Sequence, residues 1–432
     1  VSCEASWAQR VYEADKAAAM LCTKATQRGF AFDTERAATL AAVLRDSEAA
    51  LLKAADDAVG RTIARTKSGG LSTKDLQHAF FDDLQAPVFF RSELTHAPSL
   101  GIDAMRGYAA SQRPELRKLA LAVLDYRRAR KIRSTYIESI VVDSDGRVHP
   151  GWQNYGAVSG RWACADPNLM NLPRPSTDPT YAEFGGVRSL YRAAPGFRLV
   201  AFDKNQLEMR IAAYASGDRA MIDACESVDL HSSNATILFG DAFLSLPPDA
   251  VARKQMRTAA KSAGFAVCYL AEAPTVYARI IADGLPIKLS QVEAMLARLK
   301  RSFRTYYDWQ ERRLLDCIRY GWTDSPILGR RRWLGHEPPP TECANFPIQG
   351  GAADVMNELL PRLEAAIVRE CPGAGLVAQV HDSAVFEVRE RDVAHAMTLC
   401  ESYNSEAISI GSSGTLLHPV LGIDLEESER WH

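Results

Sequence analysis

The sequence predicts an α+β protein, and three observations carry that prediction. The first third is helical and Ala-rich. A buried strand then ends at Asp203. A second apolar strand pair surrounds Asp382, 179 residues later. If both aspartates serve one site, a mostly helical insertion must separate the two strand segments, which is an α+β arrangement.

The elements follow in order. Residues 7–27 and 34–59 carry apolar residues at helical spacing with few breakers. Gly29 to Asp33 forms an extended link, and Asp33 or Thr34 caps the second helix. Residues 67–71 read as a loop, after which Ser72 and Asp75 make a capping-box-like start. Residues 114–135 form another long helix, ending in the basic run from Arg127 to Arg133. From about 139 to 203, Gly, Pro and Asn are dense and apolar runs are short, with Arg198 to Phe202 as a buried strand. Helices are predicted at 206–216, 219–225, 230–239, 250–270 and 289–320. Gly375 to Val380 and Ser383 to Val388 then form a hairpin with polar residues at its turn.

Composition bounds the function classes. The 432 residues are 47% hydrophobic and 24% charged, an ordinary globular balance for roughly two to four subdomains. A net charge of −2 gives no hint of a nucleic-acid partner, but the distribution does: cations cluster at 127–133 and at Arg330 to Arg332. The nine cysteines include no CxxC pair, which argues against a zinc ribbon or redox dithiol and fits a reducing cytosol. No signal pattern opens the chain and no apolar run nears the ~18 residues of a membrane span, so no membrane partner is expected. The chain begins at Val1 rather than Met, which leaves an upstream domain open.

Two aspartates at the ends of apolar strands are chemically costly unless paired or metal-bound. Taken singly, each reads more readily as a turn-capping residue than as a metal ligand. As a pair from separate strands they could hold two Mg²⁺ ions roughly 3.5–4 Å apart. A third feature is the stripe Arg257, Lys261, Phe265 and Tyr269, at four-residue spacing on one helix. Two cations followed by two aromatics would meet a nucleoside triphosphate end to end. Spacing alone also allows a plain amphipathic helix.

At these residues the sequence resembles family A DNA polymerases, the group of bacterial DNA polymerase I and many phage replicases. Asp203 to Arg210 (DKNQLEMR) resembles the family's DYSQIELR motif. Arg257 to Tyr269 matches R-xxx-K-xxx-F-xxx-Y, and Gln379 to Asp382 matches QVHD. Ser159-Gly160-Arg161 with Asp166 to Pro173 is similar to TGR…DPNLQNIP. Asp229-Leu230-His231 resembles DIH, Gly329 to Arg332 resembles GRRR, and Asn345 to Asp354 resembles NxPxQGxAAD. Lys131 to Tyr136 looks like the KLKSTY of the thumb–palm link. The matches are collinear over most of the chain.

The resemblance implies a right-hand fold: helical thumb, palm with a small antiparallel sheet, and helical fingers. Residues 1–140 would form the N-terminal palm-proximal helix and thumb, 141–235 the first part of the palm, 236–350 the fingers and 351–432 the second part of the palm. Asp203 and Asp382 would be catalytic metal ligands, with the Lys204 backbone carbonyl beside them, for two Mg²⁺ ions that Mn²⁺ could replace. Arg257, Lys261 and His231 would grip the triphosphate. Phe265 would pack on the incoming nucleotide, Tyr269 would close the templating position, and Gln206 belongs to the same nucleotide-binding set. Glu208 would be the steric gate against a 2′-hydroxyl. Arg161, Gln349 and His381, supported by Asn345, would contact the primer-template. Lys131, Arg133 and Ser134 would hold duplex phosphates.

The implied partners are primer-template DNA and dNTPs, with the chain a monomer to which a processivity factor could attach. The implied setting is the cytoplasm of a bacterial or phage-infected cell. A single-subunit RNA polymerase, a reverse transcriptase and a silent nucleic-acid-binding scaffold are the rivals. Glu208 argues against the first, and the intact aspartates and triphosphate cations argue against the last.

The chain departs from the family in five places. Lys204 stands where an aromatic is usual, Ser383 where an acid is common, and Leu270 where a Gly often follows the Tyr. Gly264 interrupts the nucleotide-binding helix, at roughly 1 kcal/mol relative to Ala; an altered opening and closing of that helix would follow. The stretch between Arg332 and Asn345 is short, as if a fingers segment were trimmed. With the resemblance beginning near the start of the chain, neither 3′–5′ nor 5′ exonuclease activity is expected of it.

Overall fold

The first helix, α1 (Ser2–Arg28), ends as Gly29 turns the backbone to φ 66°. The computed structural model describes the chain except residues 1, 93–95, 174–183, 228, 269, 283–284, 286, 413–414 and 418–420, and except the side chains of 2–6, 265–268, 282, 411–412 and 415–417. The chain divides into two units. One comprises Val1–Gly29, His149–Met170 and Ala193–Glu429, and the other Phe30–Val148, Asn171–Arg192 and Arg430–His432.

The smaller unit is helical. The Asp33 side chain accepts a hydrogen bond from the Arg36 amide and starts α2 (Thr34–Val59), which stops at left-handed Gly60, φ 77°. Ser72 caps α3 (Thr73–His78) by accepting from the Asp75 amide. Next come α4 (Ile102–Ala109) and α5 (Pro114–Tyr136), whose Pro114 sits in the first turn, where no amide donor is missed. Ile63, Phe80, Met105, Tyr108, Leu119 and Val123 form the heart of its core. A two-residue strand β1 (Phe30–Ala31) pairs antiparallel with β2 (Arg147–Val148), and Phe30, Tyr191 and Trp431 pack ring against ring beside it.

The larger unit holds the central sheet. Its strands are β5 (Phe197–Lys204), β8 (Gly375–Val380), β9 (Ser383–Arg389) and β12 (Ile423–Ser428), in the order β12-β5-β9-β8 and antiparallel throughout. The same unit holds separate two-stranded sheets: β3 (Gly151–Gln153) with β4 (Ala163–Ala165), β6 (Trp322–Asp324) with β7 (Arg331–Trp333), and β10 (Ile410–Ser412) with β11 (Thr415–Leu417). Between β5 and β8 lie α6 (Leu207–Ser216), α7 (Arg219–Glu226), α8 (Leu230–Phe239), α9 (Asp241–Leu244), α10 (Val251–Cys268), α11 (Ala273–Ala282), α12 (Leu289–Ser302), α13 (Arg304–Tyr320) and α14 (Pro340–Glu370). A last helix, α15 (Val393–Asn404), packs on the sheet. The strand ending at Asp203 and the hairpin around Asp382 are therefore neighbours, as an inserted helical block requires.

Two features correct the sequence reading. The helix expected over 289–320 is two helices, broken at buried Phe303 (φ −105°, ψ 46°). The cause is Asp218: its carboxylate caps α7 through the Met221 amide and also accepts from the Tyr306 amide at the start of α13 (3.0 Å). Second, α14 was not foreseen. It carries Pro347 and Pro361 and the pair Gly350-Gly351, all breakers locally. It is buried along most of its length, and tertiary packing outweighs propensity there. Its Glu364 accepts the Leu376 amide (2.7 Å) and pairs with Arg28 (2.8 Å), joining α14, β8 and α1.

Candidate active site

Asp203 and Asp382 meet because β5 and β9 pair in register. Asp203 lies opposite Ser383, and the Lys204 amide donates to the Asp382 carbonyl at 3.0 Å. Val380 pairs with Ser383, so His381 and Asp382 alone make the turn between β8 and β9. His381 sits at φ 55°, a left-handed backbone tolerated in tight hairpin turns. Gln379 Nε2 donates to the His381 carbonyl at 2.5 Å and fixes the turn from beneath.

The electrostatics single out Asp382. Its Oδ1 is buried and accepts no hydrogen bond. Burial, then the negative charges of Glu208 and Asp203, push its pKa up to about 7 against the pull of Arg161 and Lys204. Lys204 is buried too, which pushes its ammonium down to about 8.

Glu208, in the first turn of α6 and 8% exposed, is ion-paired with Arg161, whose Nη2 also lies 4.0 Å from Asp382 Oδ1. Gln206 precedes α6 at φ 55° and its Oε1 is buried without a hydrogen bond. Asn345 and Gln349 follow one another on one face of α14, both half-buried, and Asn345 Oδ1 has no hydrogen-bond partner.

The expected triphosphate cations gather on α8 and α10. Arg257 grips Asp229 with two hydrogen bonds, Nε to Oδ2 at 2.6 Å and Nη2 to Oδ1 at 2.9 Å. Arg257 holds the Asp229 carboxyl well below the usual range. Burial, then the charges of Lys261 and Arg257, lowers the His231 pKa, so the three side chains share one electrostatic neighbourhood. The sequence reading named Asp229 only as part of a motif and missed its hold on Arg257; its N-cap position on α8 was the available signal. Phe265 lies on α10, but its side chain is outside the described residues, as is Tyr269 altogether.

The sequence leaves the Arg330 to Arg332 cluster evenly open between DNA contact and structural pairing, and Arg330 takes the second role. It is 1% exposed and takes two hydrogen bonds to Asp15 (2.8 and 2.7 Å) and one to Asp354 (2.7 Å). Its guanidinium fills the space beneath Gly160 (φ 86°), where a Cβ would come within 2.9 Å, and so supports the turn that carries Arg161. Arg331 stacks on Trp7 and Trp322, and Arg332 pairs with Glu342. In the smaller unit, Arg133 is bound to Glu48 (2.6 and 3.0 Å) and to Glu138 (2.5 Å). Ser134 Oγ donates to the Arg130 carbonyl, while Lys131 is exposed.

A small antiparallel sheet with a turn-borne aspartate beside a strand-end aspartate, and a helical insertion bearing the cations, defines a palm-type site. A solved structure described as the POL domain of Pol1 from M. smegmatis in complex with DNA primer-template and dNTP matches with a TM-score of 0.79 at 24% identity. The match covers 95% of this chain and 69% of that one, and bears out the α+β right-hand fold. Thermostable DNA polymerase I of Thermus aquaticus is 30% identical over 339 residues, 73% of this chain and 37% of that protein. DNA polymerase I of Chloroflexus aurantiacus is 30% identical over 329 residues (73% and 32%), and that of Pseudomonas aeruginosa 28% over 332 (74% and 34%). The chain thus spans about a third of the length of these relatives. The model of DNA polymerase family A matches residues 37–431, and the chain belongs to that family. Among the described residues no helix is long and apolar enough to cross a membrane.

Proposed function

We propose that the chain is a template-directed DNA polymerase that adds dNTPs to a primer 3′-hydroxyl. The observation that carries this reading is Asp382. A buried carboxylate oxygen without a hydrogen bond, crowded by Asp203 and Glu208, is a site that calls for a cation. Asp203 and Asp382 would hold two Mg²⁺ ions, with Mn²⁺ able to replace them. Two carboxylates with waters and substrate phosphates suit Mg²⁺ better than a full protein cage does. When bound, the ions polarise the primer hydroxyl and offset charge on the leaving pyrophosphate.

The chain's own residues do the rest. Arg257, Lys261 and His231 bind and orient the triphosphate, with Asp229 fixing the Arg257 fork. Glu208, held by Arg161, blocks the space of a 2′-hydroxyl and so favours dNTPs. Arg161, Asn345, Gln349 and His381 support the primer-template, where minor-groove acceptors are shared by all correct pairs and contacts are blind to sequence. Lys131 adds a phosphate contact from the smaller unit. These 432 residues are expected to extend primers without 3′–5′ or 5′ exonuclease activity of their own, because the family match takes up residues 37–431.

Primer extension with Mg²⁺ tests the reading. Wild type should extend a primer with dNTPs, and Asp203→Ala and Asp382→Ala should each abolish extension while DNA binding persists. Binding without extension by wild type would favour a silent scaffold, and preference for rNTPs an RNA polymerase.

A further inference from the structure

Asp203 and Lys204 are neighbours on β5 and face opposite ways, as successive strand residues must. Asp203 is exposed towards the candidate site. Lys204 is 3% exposed and lines a separate cavity of about 240 Å³ behind the sheet. The floor of that cavity is apolar, built from buried Leu328, Val355 and Leu359. Its rim carries Arg10, Glu358 and the pair Arg362–Glu406 (2.6 Å). The Arg362–Glu406 pair is internally neutralised, and Arg362 also stacks on Tyr403. Among the described residues no hydrogen bond or close ion pair holds the Lys204 ammonium or the Arg10 guanidinium, and the carboxylates they feel are Asp382 and Glu358 respectively. A lysine this deeply buried without a hydrogen bond is costly even with the Asp382 charge in reach, and that cost falls when its ammonium meets an anion directly.

We propose that this cavity is a binding site for a small phosphate or carboxylate anion, which would dock on Lys204 with Arg10 closing over it. The volume admits such an anion with water or a short apolar substituent, and the floor would seat that substituent. The site lies on the face of β5 away from Asp203 and does not depend on the polymerase reading.

The test is calorimetric titration of the whole chain, in metal-free buffer with EDTA at constant ionic strength, with inorganic phosphate in one arm and malonate in the other. Whichever anion binds names the source. Loss of one charge-assisted contact should weaken binding roughly tenfold or more in Lys204→Met and in Arg10→Gln. Lys261→Ala, which removes a cation of the candidate nucleotide site, should leave the affinity unchanged. Failure of both anions to bind wild type, equal affinity in Lys204→Met, or weakening by Lys261→Ala alone would each overturn the proposal. If Lys204→Met does not fold, reductive methylation of wild type mapped by mass spectrometry decides instead. Protection of Lys204 by the bound anion supports the site, and absence of protection overturns it.

Discussion

The guanidinium of Arg161 is shared between two carboxylates: it is ion-paired with Glu208 on α6, and its Nη2 lies 4.0 Å from Asp382. Charge and bulk at position 208 can therefore be separated. Glu208→Gln keeps the bulk and should retain discrimination between dNTPs and rNTPs. Glu208→Ala removes the bulk and should raise the rNTP share of incorporation by on the order of tenfold. Competition between the two nucleotide pools in single-turnover primer extension measures both. Equal discrimination in Glu208→Ala and wild type would remove Glu208 from the gate.

Asp382 should destabilise the metal-free fold while serving the reaction. Its pKa is raised to about 7, whereas the unfolded chain ionises in the ordinary carboxylate range. The unfolded state therefore releases that proton first, and stability falls as pH rises from that range through about 7. Asp382→Asn should unfold later than wild type near pH 8 without metal, by on the order of 1–3 kcal/mol, and lose this pH dependence. Denaturant melts at pH 5 and pH 8 provide the comparison. A less stable Asp382→Asn at pH 8 would contradict the reading of the carboxylate as buried without a hydrogen bond.

Lys131 and Arg133 sit two residues apart on α5 and should behave differently. Lys131→Ala should leave the fold intact and lower the salt dependence of DNA binding by about one counterion. Arg133→Ala strands Glu48, only 6% exposed, and should cost roughly 3 kcal/mol of stability. Chemical melts and binding isotherms at several salt concentrations separate the two roles.

Gly264 has a packing reason. A Cβ there would come within 2.7 Å of Asn234 Nδ2, and Asn234 is 1% exposed on the facing helix α8. Gly264→Ala gains about 1 kcal/mol of helix propensity but forces that buried amide aside, at about 1–3 kcal/mol. The net should be a modest loss of stability. Asn234→Ala should relieve it, giving a coupling above about 0.5 kcal/mol in a double-mutant cycle. Additive effects would mean that the two residues do not constrain one another.

Much of this organisation was legible in the residues. Helices α2 and α8 begin and end where capping residues and periodicity place them, because those signals are local. The two aspartates were legible as a suspicious pair, and the collinear motifs gave them a family. What stayed hidden depends on distant partners. Phe303 breaks a periodic helix only because Asp218 reaches the Tyr306 amide. Helix α14 survives its prolines only because its surroundings bury it. Arg330 read equally as a DNA contact or a structural partner, and only the arrival of Asp15 and Asp354 decides for the buried structural role. The cavity behind Lys204 was likewise invisible, although the unusual lysine itself was noticed.

The turn between β8 and β9 contains just His381 and Asp382. Strand side chains alternate faces, so adding or deleting a single residue in this turn would point the carboxylate at the wrong side or pull it out of reach of Asp203. The long helical block between β5 and β8 carries no such restriction, because its length does not alter how β5 and β9 pair. Over evolutionary time, insertions and deletions should collect within that block and be purged from the hairpin. Related chains should differ widely in the first length and not at all in the second.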